Sequence, residues 1–495
     1  MSASKSRKIV IVGGVRIPFC RSNTLYADQS NQDMLTGAIE GLVQRYKLTG
    51  KTIDQVMAGA VTTHSKDWNL AREAVLSSSL SPLTPAVTLQ QACGTSLQAA
   101  LLAGAQIASG QIECAIVAGT DTTSDVPVVF QRRFAQRMVK LSRARSLGQK
   151  FKAFKGFGLG ELAPQPPRNA EPRTGLSMGQ HCERMAREWK IARADQDQLT
   201  LESHQKAAAA WESGFFDDLV ISHNGVVRDN IVRSDTSLEK LSTLKPAFDR
   251  KNGTLTAGNS TTLSDGAAAL LLCSEDWAKA NDLPISAYLS HGRSAAVDFV
   301  DQDEGLLMAP TVAVAEMLTR AGLALQDFDF YEIHEAFAAQ VLCTLKAWES
   351  DAYCRERLGL DAALGHIDRS RMNVRGGSVA IGHPFAATGA RILATLTAVL
   401  EQAGSGRGLI SVCTAGGMGV AAIVERPSSS ARSHRSGAAR AGSGRDQADS
   451  PSSAKPESAE APAKQSEPTP DKAESEAPEA PKETAEKKGT EKSNE

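Results

Sequence analysis

Two widely separated stretches of this chain repeat one order of elements, and the repetition narrows the possible folds more than any other feature. The first reads Gln91-Ala-Cys-Gly-Thr-Ser-Leu, then an Ala/Leu-rich helical segment to Ser109, then Gly110 and a strand over 115–118 leading into Gly119. The second reads Ile381-Gly-His-Pro-Phe-Ala-Ala-Thr-Gly, then a helical segment over 391–402, a glycine-rich break over 404–408, and a strand over 409–412 leading into Cys413. In both, a polar residue at a turn precedes a helix, a glycine, a buried strand and a glycine-rich exit. A duplicated α/β unit leaves this imprint.

The rest of the chain fits around that pair. With 495 residues it exceeds one ordinary core. To about Arg426 it is rich in Ala, Gly, Val and Leu, which suits close helix–sheet packing. From Pro427 onward Ser, Ala, Pro, Glu and Lys dominate, a composition that cannot offset the entropy of ordering itself. The expected organisation is an N-terminal half over 1–120 and 256–280, an inserted loop domain over 121–255, a C-terminal half over 281–426, and a disordered tail over 427–495. Arg432, Arg435, Arg440 and Arg445 make the first part of the tail basic, and a solvating appendage is its expected role.

Several function classes drop out. A formal net charge of -1 gives no global field for nucleic acid. Gly13-Gly14 after the apolar run 9–12 lacks the G-x-G-x-x-G spacing of a dinucleotide site. No apolar stretch is long enough to span a bilayer, and the run 9–12 is too short for a secretory signal. The eight cysteines form no CxxC pair and read as reduced thiols, so a cytoplasmic location is expected. Cys20, Cys114, Cys182, Cys273, Cys343 and Cys354 read as packing residues.

Within the insertion, 178–210 is helix-rich, with a helix starting near Ala194-Asp195. The stretch 131–155 carries nine Lys and Arg and no acid, interleaved with Phe134, Met138, Leu141, Leu147, Phe151 and Phe154. It reads first as a solvated amphipathic helix pair, then as a surface for peripheral membrane or partner contact, then as a rim for an anionic substrate.

Four residues stand at strand or helix junctions. Cys93 precedes a helix, where the peptide dipoles favour a thiolate, and Gly94 is expected to let a substrate approach. His383 sits in Gly-His-Pro, where an imidazole can take a proton or polarise a carbonyl. Cys413 ends a strand and opens Thr414-Ala-Gly-Gly-Met-Gly, whose amides can hold an oxyanion. His334, in His-Glu-Ala-Phe, follows a strand expected over 328–333. Each has a bland reading as a packed or hydrogen-bonded residue, but four in corresponding places are hard to explain that way.

In this order and at these separations, Gln91-Ala-Cys-Gly, His334-Glu-Ala-Phe, Gly382-His-Pro and Cys413-Thr-Ala-Gly resemble the four signature blocks of the thiolases. The resemblance runs from Arg7 to about Arg426 and includes Gly253-Thr-Leu-Thr-Ala-Gly-Asn, Asp265-Gly-Ala-Ala-Ala and Ser177-Met-Gly. It implies the five-layered α-β-α-β-α thiolase fold. It also implies thiolysis of 3-oxoacyl-CoA by coenzyme A, with acetoacetyl-CoA formation as the alternative. Cys93 would carry the acyl group, His383 activate it, and Cys413 move the α-proton. One oxyanion site would combine His383 with a water on His334; the other would be the amides of Cys93 and Ala415. Met178, Arg233 and Thr261 match coenzyme A-binding positions, and no metal or redox cofactor is implied. A homodimer or homotetramer, and a companion hydratase/dehydrogenase subunit, are the partners it suggests.

Three departures bear on this. His334 stands where biosynthetic members carry Asn, which resembles the degradative branch with its trifunctional-complex β-subunits. Ala415 replaces a common glycine, and Ser177 replaces a common histidine. A lipid-binding relative would be expected to lack a nucleophile or base, and a ketosynthase to lack Cys413.

Overall fold

The structure is a computed structural model describing residues 6–165, 169–301 and 304–428. The tail expected to be disordered therefore lies, from residue 429 on, outside the described residues. In chain order the main elements begin with β1 (Ile9–Arg16), α1 (Asn31–Arg45), β2 (Gln55–Gly59), α2 (Leu70–Leu76), β3 (Ala86–Thr88), α3 (Thr95–Ser109) and β4 (Cys114–Asp121). Helices α4 (Arg132–Arg143), α5 (Leu147–Ala153), α6 (Met178–Glu188) and α7 (Arg193–Glu212) follow. The chain continues through β5 (Ser264–Ser274), β6 (Ala287–Ala296), α8 (Ala309–Ala321), β7 (Phe330–Ile333) and α9 (Ala338–Glu349). It closes with α10 (Thr388–Ala403), β8 (Gly406–Thr414) and β9 (Met418–Arg426).

The strands follow one hydrogen-bonded path, β7-β8-β9-β6-β1-β5-β4-β2-β3. It joins at its centre by three pairs only, Ile9↔Leu289, Val10↔Tyr288 and Ile11↔Ala287. On either side of that seam the order is the same. In β3-β2-β4-β5-β1 the first three strands are parallel and the next two antiparallel. In β7-β8-β9-β6 the first pair is parallel and the rest antiparallel, and a parallel bridge from Tyr331 to Met372 stands where β3 stands beside β2. The duplication legible in two sequence stretches thus extends to the topology of both halves.

Side-chain alternation turns this path into five layers, because successive strand residues face opposite sides. Val10, Val12, Ile116, Ala118 and Leu271 pack outward with α1 and α2. Ile11, Ala115, Val117 and Leu270 pack inward with α3 and α10, meeting Ile410, Val412, Val420 and Ala422 of the other half. Leu409, Ala421 and Ile423 face α8 and α9 on the far side. The central helices are accordingly apolar nearly all round, as a doubly covered helix must be. They are pinned at their starts: Ser96 Oγ donates to the Ala386 carbonyl (2.5 Å) and accepts from Ala390 N–H (2.8 Å).

Several local expectations shift. β1 extends beyond the apolar run 9–12 through Gly13-Gly14 to Arg16 with a register shift after Ile11, the Tyr46 and Ala394 side chains filling the space above the glycines. α10 begins at Thr388, a turn earlier than read, because the 3-10 turn Phe385–Ala387 feeds it. Past Cys413, where the glycine-rich run begins, β8 turns into β9 as a hairpin.

The insertion is tied down by buried polar contacts. Asp229 accepts from both terminal nitrogens of Arg16 (2.6 and 2.7 Å) and from Trp211 Nε1. Removing either partner would strand a buried charge. Helices α4 and α5 form the exposed basic pair expected for 131–155, with only Ala153 buried. Phe130, Phe134, Phe154 and Phe157 make edge and tilted contacts between them, and Arg137 pairs with Glu161. Among the described residues no helix is long and apolar enough to cross a membrane. All eight cysteines are free, and the six read as packing residues are buried.

Candidate active site

Cys93 sits in a single 3-10 turn, Ala92–Gly94, immediately before α3. The turn is held by Thr95, whose hydroxyl donates to the Ala92 carbonyl (2.7 Å) and accepts from Gln91 N–H (2.8 Å). Ala92 is left in the left-handed region at φ 45, a strain that surrounding contacts must sustain. Gly94 corrects one expectation. The space above it is taken not by substrate but by the protein's own hairpin, since a Cβ there would lie 2.8 Å from both Thr414 and Val420. That close approach brings the Cys93 turn against the strand carrying Cys413.

His383 enters the same pocket from the start of the second central helix. Its Nε2 lies 3.1 Å from Cys93 Sγ, and its Nδ1 lies 2.5 Å from Thr388 Oγ1. The Thr388 hydroxyl donates to the Pro384 carbonyl (3.4 Å), so it accepts from Nδ1–H and leaves the Nε2 lone pair facing the thiol. The His383 backbone N–H donates to Ser264 Oγ, which fixes the loop onto β5. His334 follows β7, with its ring centroid 4.2 Å from that of His383. One donor atom each from Cys93, His334 and His383 lies within 4.8 Å of the others.

Electrostatics keep this cluster neutral. Burial pushes the Cys93 thiol up to about 12, against the amides of Ala415 and of Cys93 itself, which favour the thiolate. Although Cys93 keeps a partly open face, enough protein surrounds it for desolvation to dominate. Burial, then the Arg391 charge, pushes His383 down to about 3. Burial also holds His334 well below the usual imidazole range, helped by His383 and Arg391. Cys413 lies well above the usual thiol range for the same reason, and a charge on Cys93 raises it further. Alkylation by iodoacetamide should therefore accelerate steadily to about pH 10 with no plateau near neutrality. A plateau from about pH 5 upward would instead reveal a preformed thiolate–imidazolium pair.

The Thr414–Met418 hairpin places Ala415 with its amide toward Cys93 Sγ. Ala415 stays outside the left-handed region, which Gly416 (φ 77) and Gly417 (φ 68) occupy instead, so the alanine costs the turn nothing. Glu171, from the insertion, accepts from Gly416 N–H at 2.7 Å and braces the turn.

The coenzyme A-type positions separate. Arg233 lines a cleft with His204, Lys240, Ser260, Thr262 and Val379. Thr261, between two of those residues, donates its N–H to the Ala336 carbonyl and so ties the cleft to the His334 loop. Met178 lies outside that cleft, against the apolar cluster that includes Phe337 and Cys413. Ser177 caps α6 in a reciprocal capping box with Gln180, a helix-start role for the residue that replaces histidine.

Four residues of the site escape a reading by junction alone: Thr388, Ser378, Arg391 and Asp121. Thr388 had a signal, since both central helices open on a threonine, Thr95 and Thr388. Asp121 ends β4 as Thr414 ends β8, and it accepts from Val61, Thr62 and Ala386 N–H groups, tying two loops to the end of β4. Burial pushes its carboxyl up to about 6.

These features bring a thiol and two imidazoles together in one pocket on a duplicated α/β scaffold. The chain belongs to the thiolase family: residues 9–276 match the thiolase N-terminal domain and residues 283–426 the thiolase C-terminal domain. It is accordingly an acyltransferase. It is 42% identical over 424 residues to a 3-ketoacyl-CoA thiolase of Yersinia pestis (strain Pestoides F), covering 84% of this chain and 97% of the relative. The same figures hold for a 3-ketoacyl-CoA thiolase of Yersinia pseudotuberculosis (serotype O:3, strain YPIII). Among solved structures, the acetyl-CoA acetyltransferase of Bacillus anthracis superposes with a TM-score of 0.70 at 29% identity, over 85% of this chain and 100% of that one.

Proposed function

We propose that this chain catalyses thiolysis of 3-oxoacyl-CoA by coenzyme A, yielding acetyl-CoA and a shortened acyl-CoA, as a degradative thiolase of fatty acid β-oxidation. The observation that carries the reading is the 3.1 Å contact between His383 Nε2 and Cys93 Sγ, with Ala415 N–H turned to the same sulfur.

Cys93 gives its proton to His383 Nε2 as its sulfur attacks the 3-keto carbon, and the oxygen becomes an oxyanion. The carbon–carbon bond then breaks toward the acetyl unit, whose enolate takes the proton of Cys413. Coenzyme A enters as a thiol and gives its proton to the Cys413 thiolate while its sulfur attacks the acyl-enzyme. The second tetrahedral adduct collapses, and His383 returns its proton to Cys93. Each oxyanion meets donors only at that moment: the amides of Cys93 and Ala415 on one side, His383 and His334 on the other. Neutral resting groups suit this scheme, because charge appears only while the acyl carbon is being attacked.

Coenzyme A is assigned to the cleft of Arg233 and 260–262. Among the described residues the Ser260 hydroxyl is buried there without a partner, and Arg233 and Lys240 supply positive charge. The acyl chain is assigned to the side of Met178, Phe248, Phe299 and Phe337, an apolar cluster around Cys413. Together with the relatives named 3-ketoacyl-CoA thiolase, this cluster favours longer acyl groups over acetoacetyl-CoA. Thiolysis rates across a series of 3-oxoacyl-CoA lengths test the assignment. A kcat/KM about tenfold or more above that for acetoacetyl-CoA, some 1.4 kcal/mol, is expected for a longer substrate. A preference for acetoacetyl-CoA would move the chain to the acetyl-CoA C-acetyltransferase reading. No turnover of any member would favour the lipid-binding reading, which gives no reason for a base 3.1 Å from a thiol.

A further inference from the structure

We propose that Ser378 and Arg391 are positioning residues that lock His334 as an Nε2–H tautomer, making it a fixed hydrogen-bond donor aimed into the acyl pocket. The inference rests on the acyltransferase reading of the site and concerns how one of its donors is set.

The argument is a count of protons. A guanidinium can only donate, and Arg391 Nη2 donates to Ser378 Oγ at 2.7 Å, with both residues buried. The Ser378 hydroxyl therefore has its own proton to place. Among the described residues its other side-chain partner is His334 Nδ1, 2.8 Å away. Ser378 donates and Nδ1 accepts, so the neutral ring carries its hydrogen on Nε2. That atom is buried and, among the described residues, has no hydrogen-bond partner.

A donor left without an acceptor in a dry pocket is unusual, since buried polar groups are nearly always paired. Its place beside Cys93 and His383 explains it: the missing acceptor is the oxygen that becomes negative when the thiol attacks, or the water that holds that oxygen. The count also decides between two uses of the cluster. Cys93, His334 and His383 have the spacing of a three-ligand metal site. A ring nitrogen that carries hydrogen has no lone pair for a metal, so the relay makes His334 a donor.

The surrounding chain holds the relay rigid. Arg391 lies 4.0 Å from the Glu332 carboxylate, and both are buried. Glu335 accepts from Val379 N–H, from Asn373 Nδ2 and from Ser203 Oγ, clamping the segment that carries Ser378. His334 N–H donates to the Ser411 carbonyl, fixing its backbone to β8.

A double-mutant cycle tests this. An asparagine at 334 presents an amide donor that needs no tautomer, so Ser378 should matter only when histidine is present. Ser378→Ala in the native background is expected to lower kcat about 10–100-fold with KM within about threefold. In a His334→Asn background the same change should cost less than about twofold. Equal losses in both backgrounds, or none in the native one, overturn the proposal. Nitrogen NMR of the native enzyme labelled with 15N-histidine reads the tautomer directly, with His334→Asn, checked for native folding by circular dichroism, used to assign the signals. A His334 spectrum with hydrogen on Nε2 supports the relay, and hydrogen on Nδ1 refutes it. If the native enzyme turns over no 3-oxoacyl-CoA, the proposed function fails while the spectrum still judges the relay.

Discussion

Replacing Cys93 by alanine should lower kcat for thiolysis by about ten-thousand-fold or more, roughly 5.5 kcal/mol of transition-state stabilisation. The expectation follows from position: Cys93 Sγ is contacted both by His383 Nε2 and by the Ala415 amide. With 3-oxoacyl-CoA and no coenzyme A, the native enzyme should gain an acyl group on the peptide carrying Cys93, detectable by mass spectrometry. The alanine variant should gain none, yet should still bind coenzyme A, because the cleft around Arg233 does not include residue 93. Substantial turnover by Cys93→Ala would remove the covalent intermediate and the proposed function with it.

Cys413→Ala is expected to have the second largest effect, about a thousand-fold on overall turnover, through a different step. Here the discriminating measurement is exchange. Native enzyme should exchange the acetyl protons of acetyl-CoA with solvent deuterium, and the variant should lose that exchange, while acylation of Cys93 by 3-oxoacyl-CoA, which draws on the Cys413 proton, should slow with it. Its sulfur is buried at the end of β8, and a charge on Cys93 is felt there, as a proton carrier next to the acyl group requires. Retained exchange would assign the α-proton to another group, such as His383, whose Nε2 lies 3.1 Å from the Cys93 sulfur.

The neutral resting state shapes how both experiments should be read. A helix-start cysteine invites the expectation of a standing thiolate. In the folded chain the desolvation penalty outweighs the amides that favour the anion. Reactivity of Cys93 toward a general alkylating reagent is therefore a poor proxy for its reactivity toward a bound thioester. The second arrives with donors in place for its oxygen, and the first does not.

Part of this was open to reading in one dimension. The periodic apolar runs, the glycines after them and the polar residues at their junctions are local features, and local features fix which segments become helix or strand. They identified two copies of one unit and placed Cys93, His383, His334 and Cys413 at their junctions. They also marked 131–155 as an amphipathic pair, because charge and apolar spacing along a helix are visible without its neighbours. Boundaries moved where contacts from elsewhere decide them. β1 continues through Gly13-Gly14 since Tyr46 and Ala394 fill the groove, and α10 starts early since a 3-10 turn leads into it.

Tertiary structure alone decided what those residues are to one another. Gly94 faces Thr414 and Val420 rather than a ligand because the two halves press their central helices together. The direction of each titration depends on burial between layers, which no single segment encodes. Ser378 and Arg391 belong to the site only because the chain folds a serine 44 residues from His334 back onto its ring. The sequence by itself determined the repeat and the chemical types available at its junctions, since both are written in neighbouring residues. Distances, tautomers and charge states waited for the fold, because a hydrogen bond and a desolvation penalty are properties of pairs and surroundings, not of positions along a chain.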